Sequence, residues 1–286
     1  MKNKQRIIKY LDLKYQYKSI KKEIDKKTLE VINSTNYSLG KYVTKFEDEF
    51  ANFNNSKYCV GLNTGTSALH LALLALDIGK GDEVITVSMT FIATIMAISY
   101  VGAKPIFVDI NKHSKLINIE EIEKKITSRT KAIIPVHLYG QCADMYQINK
   151  IAKKYKLKVI EDASQAHGAL LNGKNAGTFG DIGTFSFYPG KNLGAYGEAG
   201  AIITNSKKIK NKIESLRNWG QINNRYKHEY ISYNYRMDGI QAAVLSIKLK
   251  YLKKWTQSRR DIAKLYQSEL KGIIDCTLEE SNKFHV

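Results

Sequence analysis

Val159-Ile160-Glu161-Asp162-Ala163-Ser164-Gln165-Ala166-His167 is a short apolar run that ends on two acids and then turns small and polar. Residues 158–161 read as a strand, too short for a helix and apolar enough to be buried on both faces. A helical pattern over 145–155 and a strand pattern over 132–136 come before it, and strand candidates over 184–187 and 201–204 follow. Farther upstream, strands are expected over 58–62, 83–87 and 105–108, and helices over 67–76, 91–100 and 119–126. Strands alternating with helices predict an α/β domain with a mostly parallel sheet.

After Arg236 the pattern changes. Ile240, Ala243, Val244, Ile247, Leu249, Leu252 and Trp255 fall mostly on one helical face, and the period continues through Ile262, Leu265, Tyr266 and Leu270 to Gly272. One long helix, or two in line, should carry the chain away from the large domain. The expected division is 1–238 for an N-terminal segment and large domain, and 239–286 for a linking helix and the start of a small domain.

Composition narrows the class. The chain has 286 residues, 43% of them hydrophobic, which suits one large domain or one domain plus part of another. The net charge of +18 points to nucleic acid, a membrane surface or an acidic ligand. The lysines, however, are spread through nearly every segment, and the densest run, 248–260, reads as the solvated face of a helix. No nucleic-acid recognition motif accompanies them, so no nucleic-acid partner is expected; the charge would still attract a diphosphate-bearing substrate. The most apolar region, 84–108, is broken by Thr86, Ser88, Thr90, Thr94, Ser99, Gly102, Lys104 and Pro105. It predicts strand, helix and strand rather than a membrane span. Cys59, Cys142 and Cys276 lie far apart, so neither a disulfide framework nor a metal site is expected, and a cytoplasmic location fits. Residues 1–14 are basic without an apolar core, so no signal peptide is read there.

Three stretches hold residues suited to chemistry. Asn63-Thr64-Gly65-Thr66-Ser67-Ala68-Leu69 follows a strand and opens a helix. Free amides of a first helical turn bind phosphate, and small residues let an anion approach; ordinary N-capping by Thr66 or Ser67 is the plain structural alternative. Asp162 closes a predicted strand, where ligands of open α/β sheets sit. A buried carboxylate there needs a cationic partner or hydrogen-bond donors, or it would be protonated, and a protonated pyridine nitrogen is such a partner; a structural salt bridge is the alternative, as a satisfied core histidine is for His167. Finally, Lys191 stands within Phe185-Ser186-Phe187-Tyr188-Pro189-Gly190-Lys191-Asn192-Leu193-Gly194-Ala195-Tyr196-Gly197-Glu198-Ala199-Gly200. An amine among aromatics and glycines can lose its charge and attack a carbonyl, and Ser186 could donate to a phosphate. A phosphate cradle, an acid and an amine together match what pyridoxal phosphate requires.

Through these segments the chain resembles the DegT/DnrJ/EryC1/StrS sugar aminotransferases, a branch of the fold-type I pyridoxal-phosphate enzymes. The resemblance spans nearly the whole chain. It rests also on Leu11-Asp12-Leu13-Lys14, Tyr37-Ser38-Leu39-Gly40, Gly79-Lys80-Gly81-Asp82-Glu83-Val84, Thr90-Phe91-Ile92-Ala93-Thr94, His137-Leu138-Tyr139-Gly140-Gln141 and Tyr233-Asn234-Tyr235-Arg236-Met237. It implies a three-layer α/β/α large domain and a homodimer with shared active sites. Lys191 matches the Schiff-base lysine, Asp162 the acid for the pyridine nitrogen, Gln165 the residue near the ring hydroxyl and Phe91 the ring-stacking aromatic. Gly65, Thr66, Ser67 and Ser186 match the phosphate end, and Asn234 an asparagine reaching the neighbouring subunit's phosphate.

The implied reaction moves an amino group from L-glutamate to a nucleotide-linked keto sugar. The segments around Lys191 and Gln165-Ala166-His167 are similar to members acting at C3 of dTDP-3-keto-6-deoxyhexoses, as in surface polysaccharide or O-antigen synthesis. The alternatives are a 4-keto sugar carried by UDP or GDP, or a truncated, inactive homologue. Sugar dehydratases of the family replace the lysine with histidine, which Lys191 argues against. Ala199 stands where the family commonly has glycine, and the chain stops at 283–286, where the family begins its small C-terminal domain; a truncated small domain is therefore expected.

Overall fold

The computed structural model describes residues 9–222, 224–274, 279 and 282–286. Part of the segment read as lacking a signal peptide, and Cys276, lie outside the described residues.

Seven strands form the central sheet: β1 (Tyr58–Leu62), β2 (Glu83–Val87), β3 (Lys104–Val108), β4 (Thr130–Ile134), β5 (Lys158–Asp162), β8 (Ile182–Ser186) and β9 (Gly200–Thr204), in the order β1-β9-β8-β5-β4-β2-β3. Neighbours from β8 through β3 pair in parallel, whereas β9 runs antiparallel to both β8 and β1. The expected mostly parallel α/β sheet is therefore present. Two short strands, β6 (Leu170–Leu171) and β7 (Lys174–Asn175), form a small sheet with β12 (Lys283–Phe284); β10 (Gln221–Ile222) and β11 (Asn224–His228) form a ribbon.

Helices cover both faces. Side chains alternate along each strand, so Val60, Leu62, Ile134, Ile160 and Ile202 face one layer with α3 (Gly65–Ala75), α4 (Ala93–Tyr100) and α7 (Lys207–Arg217). Cys59, Ile85, Ile133, Val159 and Ile203 face the other, with α2 (Gly40–Phe53), α6 (Met145–Tyr155) and the first half of α8 (Gly239–Glu269). The remaining helices are α1 (Leu13–Ser34), which packs on α8, and the short α5 (Ile119–Ile122). On the second face Phe50 meets Phe185 edge-on at 5.0 Å and Phe46 meets Phe187 at 5.3 Å. Each buried phenylalanine contributes roughly 1.5–3 kcal/mol. Because Phe185 and Phe187 are held inside, Ser186 between them must face the opposite side.

The expected boundaries shift in places. The strand expected over 132–136 is found two residues earlier, because Pro135 has no amide to continue the ladder. The helix expected over 119–126 tightens after Ile122 into a 3₁₀ turn, Glu123–Lys125. The long C-terminal pattern forms one helix, α8. Its apolar side chains are buried from Ala242 to Leu252, whereas Ile262, Leu265 and Tyr266 are exposed. The basic run expected to be a solvated face fails at its first member: Lys248 is 1% exposed. It sits on the stripe that α8 turns toward the domain. Among the described residues, no helix is long and apolar enough to cross a membrane.

Candidate active site

The carboxyl ends of β5 and β8 and the N-terminus of α3 converge on a cavity of about 560 Å³. Its lining includes Gly65, Thr66, Phe91, Asp162, Gln165, Ser186 and Lys191. Seven of the nine residues expected at the cofactor therefore share one space, although they are drawn from four separate segments.

Thr64, not Thr66 or Ser67, caps α3. Its hydroxyl accepts the Ser67 amide at 2.9 Å, and the Thr64 amide donates to Ser67 Oγ at 3.1 Å. This reciprocal box uses the Ser67 hydroxyl, which also donates to Asn63 Oδ1 at 2.7 Å. Ser67 is buried behind the cradle and does not line the cavity. The amides of Gly65 and Thr66 open the first turn, where intrahelical acceptors are lacking. A Cβ on Gly65 would lie 2.5 Å from Ser186 Cβ, so only glycine lets the helix start approach β8 this closely.

Asp162 is 5% exposed at the end of β5. Its Oδ2 accepts from Thr94 Oγ1 at 2.8 Å and its Oδ1 from the Ser164 amide at 3.2 Å. Among the described residues no lysine, arginine or histidine nitrogen forms a salt bridge with it. The neighbouring Glu161 points the other way, accepting the amides of Phe179 and Gly180 at 2.6 and 2.7 Å and His137 Nε2 at 2.9 Å. His137 Nδ1 in turn accepts the Ala143 amide at 3.1 Å, which puts its proton on Nε2. This buried network holds the end of β5 rigid beneath Asp162.

Lys191 follows the turn after β8, its amide donating to the Tyr188 carbonyl at 2.8 Å. Burial lowers the affinity of its amine for a proton, and the Asp162 carboxylate partly opposes this. Gln165 Oε1 accepts the Tyr139 amide at 2.7 Å, leaving its amide nitrogen as a donor at the cavity wall. Phe91, which precedes α4, is 69% exposed and presents a ring at the mouth. Asn234 is exposed and outside this cavity; its Oδ1 accepts from Arg236 Nε at 2.8 Å.

His167 is fully buried against Phe185 and Phe187 at 5.6 and 5.5 Å, and among the described residues neither ring nitrogen has a hydrogen-bond partner. Burial pushes its imidazole down to about 3, with the nearby Lys191 charge acting in the same direction. Sequence reasoning gave no role to Thr94, Tyr188 or Glu198, the last two of which also line the cavity. Thr94 was visible only as one of several polar breaks in the apolar stretch 84–108. Among the described residues, no group of three histidine, cysteine, aspartate or glutamate side chains is placed to hold a metal ion.

Comparisons with known proteins identify the family and the fold. The DegT/DnrJ/EryC1/StrS aminotransferase family matches residues 18–285. The chain is 48% identical over 281 residues to the dTDP-3-amino-3,6-dideoxy-alpha-D-galactopyranose transaminase of Aneurinibacillus thermoaerophilus, covering 98% of itself and 77% of that protein. It is 42% identical over 267 residues to the UDP-2-acetamido-2-deoxy-3-oxo-D-glucuronate aminotransferase of Pseudomonas aeruginosa, covering 93% and 74%. Among solved structures, S. venezuelae DesV in complex with a ketimine intermediate superimposes with a TM-score of 0.96 at 39% identity, over 98% of this chain and 76% of that one. Ntda from Bacillus subtilis with bound cofactor PMP gives 0.90 at 35% identity, over 100% and 67%. With a match over nearly its whole length and a cleft at the expected strand ends, the chain belongs to the DegT/DnrJ/EryC1/StrS aminotransferase family and is a transaminase.

Proposed function

We propose that this chain binds pyridoxal 5'-phosphate and moves an amino group from L-glutamate to a nucleotide-linked keto sugar. One observation carries the reading: the Lys191 amine and the Asp162 carboxylate line the same cavity as the first turn of α3. The residues fit the cofactor. A buried carboxylate without a salt bridge among the described residues suits a protonated ring nitrogen, and the Gly65–Ser186 approach makes a cradle that a Cβ would fill. When bound, pyridoxal phosphate supplies an aldehyde carbon for the amine and a ring that takes up a carbanion's electron pair.

The protein's own groups do the rest. Asp162 keeps the ring nitrogen protonated. The amides of Gly65 and Thr66 and the Ser186 hydroxyl hold the phosphate, while Ser67 secures that turn from behind. Gln165 donates to the ring hydroxyl, and Phe91 covers the ring face. Lys191, made a better nucleophile by burial, would hold the cofactor's aldehyde carbon, and its free amine would be placed to carry a proton between the donor's α-carbon and that same carbon. Two copies are expected to pair so that Asn234 of the partner subunit completes the phosphate end. Cysteines scattered along the sequence, with Cys59 and Cys142 free and buried, favour a cytoplasmic setting.

For the substrate we favour a dTDP-3-keto-6-deoxyhexose, on the likeness to the Aneurinibacillus enzyme. A UDP-linked sugar is the second reading, on the likeness to the Pseudomonas enzyme. The test incubates the protein with pyridoxal phosphate, glutamate and a panel of dTDP-, UDP- and GDP-linked keto sugars, reading products by mass spectrometry. An aminated sugar that disappears in Lys191→Ala supports the reading. A deoxy-ketone product, or normal turnover by Lys191→Ala, defeats it.

A further inference from the structure

We propose that Lys248 is a positioning residue for Lys191: from the inner face of α8 its ammonium holds the turn that aims the Lys191 amine into the cavity. The inference rests on the reading of Lys191 as the cofactor's amine. Lys248 is 1% exposed, and its Nζ donates to the Gly194 carbonyl at 2.6 Å. The same Nζ lies 4.3 Å from the centre of the Tyr196 ring. It does not snorkel to water, as helix lysines usually do.

The segment it grips is short and tight. The Lys191 amide donates to the Tyr188 carbonyl and the Ala195 amide to the Phe187 carbonyl, both at 2.8 Å. A Cβ on Gly194 would lie 2.4 Å from the Pro189 carbonyl oxygen, so the loop folds back on itself at that point. Two helical turns before Lys248, on the same face of α8, Gln241 Oε1 accepts the Tyr196 amide at 2.9 Å. A single rigid helix thus fixes Gly194 and Tyr196, within five residues of Lys191.

The cost of the arrangement argues for its purpose. Burying a lone ammonium is strongly unfavourable unless hydrogen bonds and ring faces offset it. A leucine or methionine would fill this place on α8 more cheaply if packing were all that mattered. Burial pulls Lys248 down to about 8, and the groups its Nζ meets are the Gly194 carbonyl and the Tyr196 ring face. A charged hydrogen bond in a low-dielectric setting is directional, and direction is what a loop bearing a reactive amine needs.

The test compares wild type with Lys248→Met, which keeps the stem and removes charge and donor. In cofactor-free protein, amide exchange in peptides covering 188–196 should rise about tenfold, with β4 unchanged. The dissociation constant for pyridoxal phosphate should rise about tenfold, the loss of one charged hydrogen bond. In loaded enzyme kcat should fall more than the KM for glutamate changes, and the pH at which the cofactor's absorbance band shifts should move. A purely structural lysine would move none of these last two. Tyr196→Leu, which leaves the Gly194 bond, should shift exchange the same way by less. A folded Lys248→Met with unchanged exchange and affinity overturns the inference; if that variant does not fold, unchanged exchange in Tyr196→Leu does so. Failure of wild type to bind pyridoxal phosphate would instead sink the functional reading, so the two outcomes are separable.

Discussion

Thr94 Oγ1 donates to Asp162 Oδ2 at 2.8 Å, tying the first turn of α4 to the end of β5. Thr90 Oγ1 lies 2.9 Å from Thr94 Oγ1 and extends the chain of hydroxyls toward the cavity. With the Ser164 amide on its other oxygen, the Asp162 carboxylate has one orientation and spare lone pairs for a ring nitrogen. Thr94→Val keeps the shape and removes the donor. It should weaken pyridoxal phosphate binding by about fivefold to tenfold, the worth of one buried hydrogen bond of ~1 kcal/mol, while Thr94→Ser stays near wild type. Equal affinities for all three proteins, by absorbance titration, would remove Thr94 from the site.

Asp162→Asn tests the acid itself. The amide cannot keep a ring nitrogen protonated, so kcat should drop by at least about a hundredfold, comparable to loss of a key electrostatic group. Thermal stability should change little, because the Asn oxygen can keep the Ser164 amide while the Thr94 hydroxyl turns to accept from the new NH2 group. Single-turnover kinetics with glutamate reads the effect, and undiminished rates would rule the role out.

Gly65→Ala probes the cradle. Its new methyl would lie 2.5 Å from Ser186 Cβ, so α3 must withdraw from β8. Overpacking of this kind costs about 1–3 kcal/mol, and the first-turn amides move away from the anion. Urea unfolding should show the lost stability, and inorganic phosphate should protect the variant less than it protects wild type. Equal protection would place the phosphate elsewhere.

His167 should make stability depend on pH. Its folded-state value is pushed down to about 3 by burial, below the ordinary value near 6.5. A depressed histidine is neutral in the fold and binds a proton only when the chain opens. Its contribution is therefore complete above about pH 6.5 and falls as pH drops toward 3, at up to ~1.4 kcal/mol per pH unit. His167→Leu, which leaves no unpartnered nitrogen against Phe185 and Phe187, should flatten that slope. Parallel urea titrations between about pH 5 and pH 7 decide it: identical slopes mean His167 is not the group.

Much of this was readable in one dimension. The strand read over 158–161 is visible because so short an apolar run cannot make a stable helix, and Asp162 stands out because it lies at that strand's carboxyl end, where the structure extends the strand to include it. The parallel sheet follows from alternation of periods, and α8 from its sustained 3.6-residue pattern. Gly65, Thr66, Ser186 and Lys191 were legible as candidates from small residues at a helix start and an amine among glycines and aromatics, and the fold brings all four to one cavity. Local chemistry of this sort is set by neighbours along the chain.

Other features depend on what lies across space, which no single segment encodes. The lysine-rich α1 and the mixed-charge α2 drew no expectation; packing against α8 brings them to the domain. The sequence cannot say that Ser67 turns back into a capping box while Ser186, thrown outward by its buried phenylalanine neighbours, faces the cavity. Nor can it tell that Lys248, one of many lysines in a basic run, is the one held under Gly194 and Tyr196. Whether a charged side chain is solvated or buried is decided by the surface a helix meets, and that surface exists only once the chain has folded.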